Sequence, residues 1–88
     1  MKAINIVQDI LSKKIDKNEI TYKKVNTEVN IMYKNNPEHW ICKIELGAHK
    51  MIRLPNGSED YLEYKMDAVI DINELKNELV FIAEKYIK

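Results

Sequence analysis

Residues 20–54 read ITYKKVNTEVNIMYKNNPEHWICKIELGAHKMIRL, and this stretch decides the fold. Apolar side chains recur at every second position in three of its segments. They are Val29, Ile31 and Tyr33, then Trp40, Cys42, Ile44 and Leu46, then Ile52 and Leu54. A period of two with one apolar face is typical of antiparallel strands that bury one side. The pattern predicts four strands, over residues 20–25, 27–34, 39–46 and 50–54.

The loop at residues 47–49 decides the register of the last two strands. A two-residue turn would place Arg53 on the apolar face beside Cys42. A three-residue loop instead pairs Ile44 with Ile52 and keeps the apolar side chains on one face. We therefore predict the three-residue loop.

This register separates two faces of the sheet. The inner face is predicted to carry Ile20, Tyr22, Val29, Ile31, Tyr33, Trp40, Cys42, Ile44, Leu46, Ile52 and Leu54. The outer face is predicted to carry Lys23, Asn30, Met32, Ile41, Lys43, Glu45, Met51 and Arg53. No aromatic side chain is expected on the outer face, which counts against stacking of unpaired bases there.

Two amphipathic helices flank the strands. The first is predicted over residues 2–14, with Ile4, Val7 and Leu11 on one side. The second is predicted to begin at Asp71 as N-cap, with Glu74 completing a capping box. Its apolar stripe is Ile72, Leu75, Leu79, Ile82, Ala83 and Tyr86. Residues 61–66 could add a fifth strand at the edge of the sheet.

The element order α-β-β-β-β-(β)-α predicts an α+β fold. Two amphipathic helices need an apolar surface and the sheet offers one, so we expect a two-layer sandwich in a single domain over residues 1–88. The chain is 45% hydrophobic and 32% charged, as ordinary globular domains are. A single cysteine in an apolar setting predicts a reduced thiol and a cytoplasmic location, and no signal peptide or membrane span is expected.

Charge is balanced over the whole chain but not along it. Residues 1–53 hold ten Lys/Arg and six Asp/Glu, which gives +4, and residues 54–88 hold four and eight, which gives −4. This polarity is weaker than the basic footprint of a dedicated DNA-binding domain.

Sites for catalysis, metals or cofactors are not expected from the residue pattern. His39 and Cys42 fall on opposite faces of one strand, so with His49 they cannot converge on zinc or form a nucleophile pair. Two glycines are too few for a phosphate loop. One alternative remains: Glu63 and Lys65 have the Glu-x-Lys spacing of metal-dependent nucleases, with Glu59 and Asp60 nearby.

The chain resembles the small module at the C-terminus of type I restriction enzyme R-subunit-like and PD-(D/E)xK restriction endonuclease-like proteins. The resemblance lies in five elements of the family. They are a helix with an Ile-Val-x-x-Ile-Leu pattern, an Ile-Thr-Tyr strand, an Ile-Cys-Arg-Leu strand, a Lys-x-Ile-x-Leu strand and a final helix that ends near Lys-Tyr. The matching residues are Ile6, Val7, Ile10, Leu11, Ile20, Thr21, Tyr22, Ile41, Cys42, Lys43, Ile44, Lys50, Ile52, Leu54, Lys85 and Tyr86.

The resemblance covers nearly the whole chain and consists mostly of core positions. The sequence departs from the family at Lys23, Lys24 and Val25, where the family tends to have Arg-Asp-Thr, and at Glu28 and Val29, where it favours aromatic residues. No catalytic residue is carried over, because the nuclease and any motor of such proteins lie in their other parts. The resemblance therefore implies a non-catalytic accessory domain.

Any binding function is expected on the outer face of the sheet. Three cations there surround three apolar side chains and could meet a DNA backbone or a partner subunit. These six residues are Lys23, Lys43, Arg53, Met32, Ile41 and Met51. The alternatives are a stand-alone protein-interaction module or homodimer and, third, a small metal-dependent nuclease.

Overall fold

The alternating segments form one antiparallel sheet in the computed structural model, which describes residues 2–57 and 59–87. Each strand lies beside its neighbour in sequence, in the order β1-β2-β3-β4-β5. The strands are β1 Ile20–Val25, β2 Glu28–Tyr33, β3 Asn36–Glu45, β4 Met51–Pro55 and β5 Tyr61–Lys65. Helix α1 spans Lys2–Leu11, and a 3₁₀ segment over Val69–Leu75 leads into α2, Lys76–Glu84. The predicted α+β fold with a fifth edge strand is confirmed.

The register of β3 and β4 is the one that the apolar pattern predicts. Ile44 lies opposite Ile52, and Lys43 lies opposite Arg53. The β2–β3 turn is shorter than the gap between the predicted strands over 27–34 and 39–46, because β3 already begins at Asn36. Lys34 and Asn35 both adopt a positive φ, which makes a tight two-residue turn between twisted strands.

Strand β3 contains extra residues opposite β2, and they break its alternation. Ile31 lies opposite Cys42 while the next residue, Met32, lies opposite Trp40, so Ile41 is inserted between them. Three more residues, 37–39, are inserted between Trp40, which pairs with Met32, and Asn36, which pairs with Tyr33. One of them is Pro37, which has no N–H to donate to a ladder. Two bulges therefore shape the start of β3.

The first bulge exchanges the faces of two side chains. The period of two predicts Trp40 inside and Ile41 outside, and this prediction is wrong. Ile41 is fully buried in the core, whereas Trp40 is only half-buried and lines a cavity on the outer face with Met32. One inserted residue is enough, because a shift of one position in the pairing exchanges the faces on one side of the insertion: Cys42 and Ile44 keep the predicted face, and Trp40, before the insertion, is reversed.

The core lies between the inner face of the sheet and the two helices. The predicted helix stripes supply it: Ile4, Val7 and Leu11 from α1, and Leu79 and Ile82 from α2, are buried. Sheet residues complete the cluster; those with no exposed surface are Val29, Ile31, Ile41, Cys42, Ile44 and Ile52. This packing leaves the opposite face of the sheet uncovered by either helix.

Each helix differs from the prediction at one end: α1 at its C-terminus and α2 at its N-terminus. Helix α1 stops at Leu11, and Ser12–Lys14 form a turn instead of its last residues. Asp71 is not an N-cap: it lies within the 3₁₀ segment, and its Oδ2 accepts hydrogen bonds from the N–H groups of Asp67 and Ala68 at 2.9 and 3.0 Å. The Asp71 carboxylate therefore accepts from N–H groups that precede it in the chain, whereas an N-cap side chain accepts from N–H groups that follow it.

The bulge predicts a difference in stability between two substitutions. Ile41→Ala should lower the free energy of unfolding by about 2–5 kcal/mol, because it leaves a cavity in the core. Met51→Ala, at a half-buried position on the outer face, should cost clearly less. Urea denaturation followed by circular dichroism measures both. Equal costs would mean that Ile41 does not face the core.

Candidate functional site

One row of side chains crosses the whole outer face. Strand pairing places Lys23 opposite Asn30, Asn30 opposite Lys43, Lys43 opposite Arg53 and Arg53 opposite Glu63. The three predicted cations therefore lie in a single line across the sheet. Their surroundings differ, and the difference divides the face into two halves.

Arg53 is held between two carboxylates. Its Nε donates to Glu63 Oε2 at 2.7 Å, and its NH1 lies 3.3 Å from Glu28 Oε2. Glu63 above all raises the pKa of the Arg53 guanidinium. The same guanidinium lies over the Tyr61 ring, 5.5 Å from its centroid. Two anions thus compensate the charge of Arg53, so it is a poor contact for a phosphate.

Lys23 and Lys43 have a different environment. Neither forms an ion pair with any carboxylate in the part of the chain that the structure describes. The Lys43 ammonium lies 5.0 Å from the centroid of the Trp40 ring, in a cation–π contact. The part of the face around Lys23, Asn30, Met32, Trp40 and Lys43 is therefore cationic and aromatic, and we call it the Trp40 half.

A cavity of about 150 Å³ lies in the Trp40 half. Its lining consists of Lys23, Asn30, Met32, Pro37, Trp40 and Lys43. Met32 is itself only 3% exposed although it lies outside the core cluster. The cavity is smaller than the pockets of about 300–1,000 Å³ that hold drug-sized ligands, so it can take a single side chain or ring.

Asn30 contributes an unsatisfied acceptor to this site. Its Oδ1 is shielded from solvent and accepts no hydrogen bond from any described residue. Buried acceptors are nearly always paired in folded proteins, and leaving one unpaired costs about 1–3 kcal/mol. Asn30 lies between Lys23 and Lys43 in the row, and all three residues line the cavity.

The predicted site residues are only partly brought together. Lys23, Lys43, Arg53, Met32 and Met51 share the outer face through their strand pairings. Ile41 does not, since it is buried in the core. The expectation of an outer face without aromatic side chains is also wrong.

The residues that the sequence pattern missed are Trp40, Asn30 and Tyr61. The period of two places Trp40 on the wrong face because a strict alternation cannot show an inserted residue. Pro37 is the one available sign of irregular pairing, since a proline within a strand favours an edge or a bulge.

The other reactive groups among the described residues lie apart from one another. Cys42 is fully buried, and this burial strongly raises the pKa of its thiol. The His39 ring stacks on the Tyr86 ring, with 4.7 Å between the ring centroids, while His49 is exposed in the β3–β4 loop. Within residues 2–57 and 59–87, no three His, Cys, Asp or Glu side chains are placed to hold a metal ion. Glu63, the carboxylate of the nuclease alternative, is engaged by Arg53.

Burial makes the only cysteine a reporter of unfolding. A thiol reagent such as Ellman's reagent should modify Cys42 only when the core opens, because the buried thiol forms almost no thiolate. In urea the reaction should become as fast as that of an unfolded peptide. A Cys42→Ala, Val25→Cys variant, with the thiol at an exposed position, is the matched control. Rapid modification of native Cys42 would contradict its burial.

None of the described helices is long and apolar enough to cross a membrane. Comparison with protein-family models, with curated proteins and with solved structures found no match to this chain.

Proposed function

We propose that this chain is a non-catalytic accessory domain that binds nucleic acid through the Trp40 half of the outer sheet face. The observation that carries the proposal is the pair of lysines without ion-pair partners among the described residues, Lys23 and Lys43, on either side of Asn30 and beside Trp40. Phosphates are attracted by such cations, and an aromatic ring beside them offers contact to bases or sugars.

The location of the two lysines supports the outer face over the helical side. They project from hydrogen-bonded neighbours in the sheet, so the backbone holds their spacing. On the helical side, Lys14 is paired with Glu84 at 3.4 Å, and Lys13 and Lys76 border a groove whose lining also includes carboxylates. The outer face of the sheet is also the layer that no helix covers.

The charge of the chain sets the expected strength of binding. Its formal net charge is zero, and Arg53 is compensated, so only a small number of phosphates can be contacted. Binding should therefore be weak at physiological salt and should strengthen as salt is lowered. Weak contact of this kind suits an accessory domain that is brought to nucleic acid by other parts of a system. This role agrees with the resemblance to restriction-endonuclease-like accessory modules.

The proposal predicts the salt dependence of binding. Replacing both Lys23 and Lys43 by Gln should weaken binding to a fluorescein-labelled oligonucleotide. It should also reduce the slope of log K against log salt by about 1.4 for a single strand, at about 0.7 per lost phosphate contact. Fluorescence anisotropy at several low salt concentrations measures both quantities.

The matched control is a Lys13→Gln, Lys76→Gln variant. It changes net charge by the same amount, but both lysines line the groove between α1 and α2 on the helical side. Its salt slope should equal that of the unmodified protein. Equal losses in the two variants would show that net charge alone matters. Absence of binding to single-stranded and duplex oligonucleotides would refute the proposal.

A second candidate function is self-association through the edge of β5. Tyr61 and Leu62 in this edge strand are 51% and 43% exposed. The opposite edge, β1, carries two adjacent lysines, Lys23 and Lys24, and charges of this kind discourage strand pairing. The charges of β5, Glu63 and Lys65, are not adjacent and differ in sign, so its edge opposes pairing with a second copy of the chain less than β1 does.

Self-association predicts a concentration-dependent mass. Sedimentation velocity should show a dimer that Leu62→Lys converts to a monomer, because a lysine at this edge opposes pairing. Val25→Lys, at a still more exposed position on the other edge, should leave the dimer intact. A monomer at all concentrations would remove this candidate.

A further inference from the structure

We infer that the Trp40 cavity takes one unpaired base of a single-stranded nucleic acid, with Lys23 and Lys43 on the neighbouring phosphates. The inference rests on the proposed function and specifies it further. It depends on three features that lie together in the Trp40 half: the size of the cavity, the exposed part of the indole ring and the unpaired oxygen of Asn30.

The size of the cavity selects one planar group. At about 150 Å³ it has room for one ring but not for a nucleotide cofactor. Bases inside a duplex are stacked on one another and cannot enter a cavity of this kind. Only an unpaired base can, and single-stranded segments are the usual targets of sites built on an aromatic side chain.

The indole ring of Trp40 supplies the stacking surface. Stacking of a base on an aromatic side chain contributes about 1–3 kcal/mol. In the free protein the Lys43 ammonium lies over this ring at 5.0 Å. When a base stacks there, Lys43 moves to the adjoining phosphate and its contact with the ring is exchanged for an ion pair. Lys23, on the other side of Asn30, meets a second phosphate.

Asn30 supplies the contact to the edge of the base. Its buried Oδ1 lacks a donor among the described residues. The ring N–H of thymine or uracil is a donor of the required kind, and so are the amino groups of adenine, cytosine and guanine. A base that enters between the two lysines can therefore satisfy this unpaired acceptor once the Asn30 side chain turns its shielded oxygen toward the cavity.

The chemistry of the lining also separates this occupant from a purely acidic segment such as polyglutamate. A carboxylate side chain could pair with Lys23 or Lys43, but that side chain brings neither a hydrogen for Asn30 Oδ1 nor a ring to stack on Trp40. A nucleotide brings all three groups together: a ring, an N–H donor and an adjoining anion.

The experiment compares four probes of matched length. They are a fluorescein-labelled oligothymidylate, its duplex with oligoadenylate, an abasic strand and polyglutamate. A length of about 12 nucleotides falls within the site sizes of small single-strand-binding folds. Trp40 is the only tryptophan, so quenching of its fluorescence reports directly on occupancy of the cavity. Oligothymidylate should bind most tightly and should quench Trp40, whereas the abasic strand should bind more weakly without quenching.

Two substitutions test the contacts to the base. Trp40→Leu keeps apolar bulk and should weaken oligothymidylate binding by about 5- to 150-fold. Asn30→Ala should weaken it by about 2- to 12-fold without loss of stability, because the replaced oxygen has no described partner in the free protein. Tyr61→Leu is the matched control, since Tyr61 is an aromatic residue of the same face beside Arg53, and binding should be unchanged. Circular dichroism confirms that each variant is folded.

The outcomes distinguish this inference from the proposed function. Equal affinity for the abasic strand and oligothymidylate, or preference for the duplex, would overturn the inference while leaving nucleic-acid binding in place. Preference for polyglutamate would assign the Trp40 half to acidic proteins and overturn both. Binding of none of the four probes would overturn both as well.

Discussion

The insertion of Ile41 opposite β2 is the constraint on which both layers of this domain depend. It turns Ile41 into the core and Trp40 onto the uncovered face, although the two are adjacent in sequence. Without it, the strand would place a tryptophan under the helices and an isoleucine in solvent. Bulges commonly redirect side chains next to functional sites. Here a single extra residue completes the core and creates the aromatic surface of the candidate site.

Electrostatic compensation decides which half of the outer face can bind an anion. Lys23, Lys43 and Arg53 lie in one row, so their positions alone would predict one continuous basic stripe. Glu28 and Glu63 interrupt that stripe by pairing with Arg53. Partly exposed ion pairs of this type contribute little to stability. Their larger effect is on recognition, because they confine the uncompensated charge of the row to the Trp40 half.

The parts of the fold that depend on a regular spacing of apolar residues could be predicted from sequence. The strand alternation, the pairing of Ile44 with Ile52 and the buried stripes of both helices all follow from periodicity, because burial of one face imposes it. Element ends were less predictable. Asp71 has the residue type of an N-cap, but type alone does not show whether its carboxylate accepts from following or preceding N–H groups.

The candidate site was predictable only in its charges. Lys23, Lys43 and Arg53 were assigned to the correct face because they lie outside the bulge in regular parts of their strands. Trp40 and Ile41 were exchanged, since the register of an irregular strand depends on tertiary pairing with β2. The compensation of Arg53 was not predictable either, because it joins residues 25 and 10 positions apart in sequence.

The stability of the free domain gives a further reason to associate the Trp40 half with binding. A partly exposed tryptophan and an unpaired, buried Asn30 Oδ1 each lack a favourable contact in the free domain. Either feature alone would be unremarkable on a small domain. Both line the same cavity, between two lysines that lack ion-pair partners in residues 2–57 and 59–87. A ligand with a ring, a hydrogen-bond donor and an anionic group would satisfy all of them at once, and a nucleotide of a single strand is such a ligand.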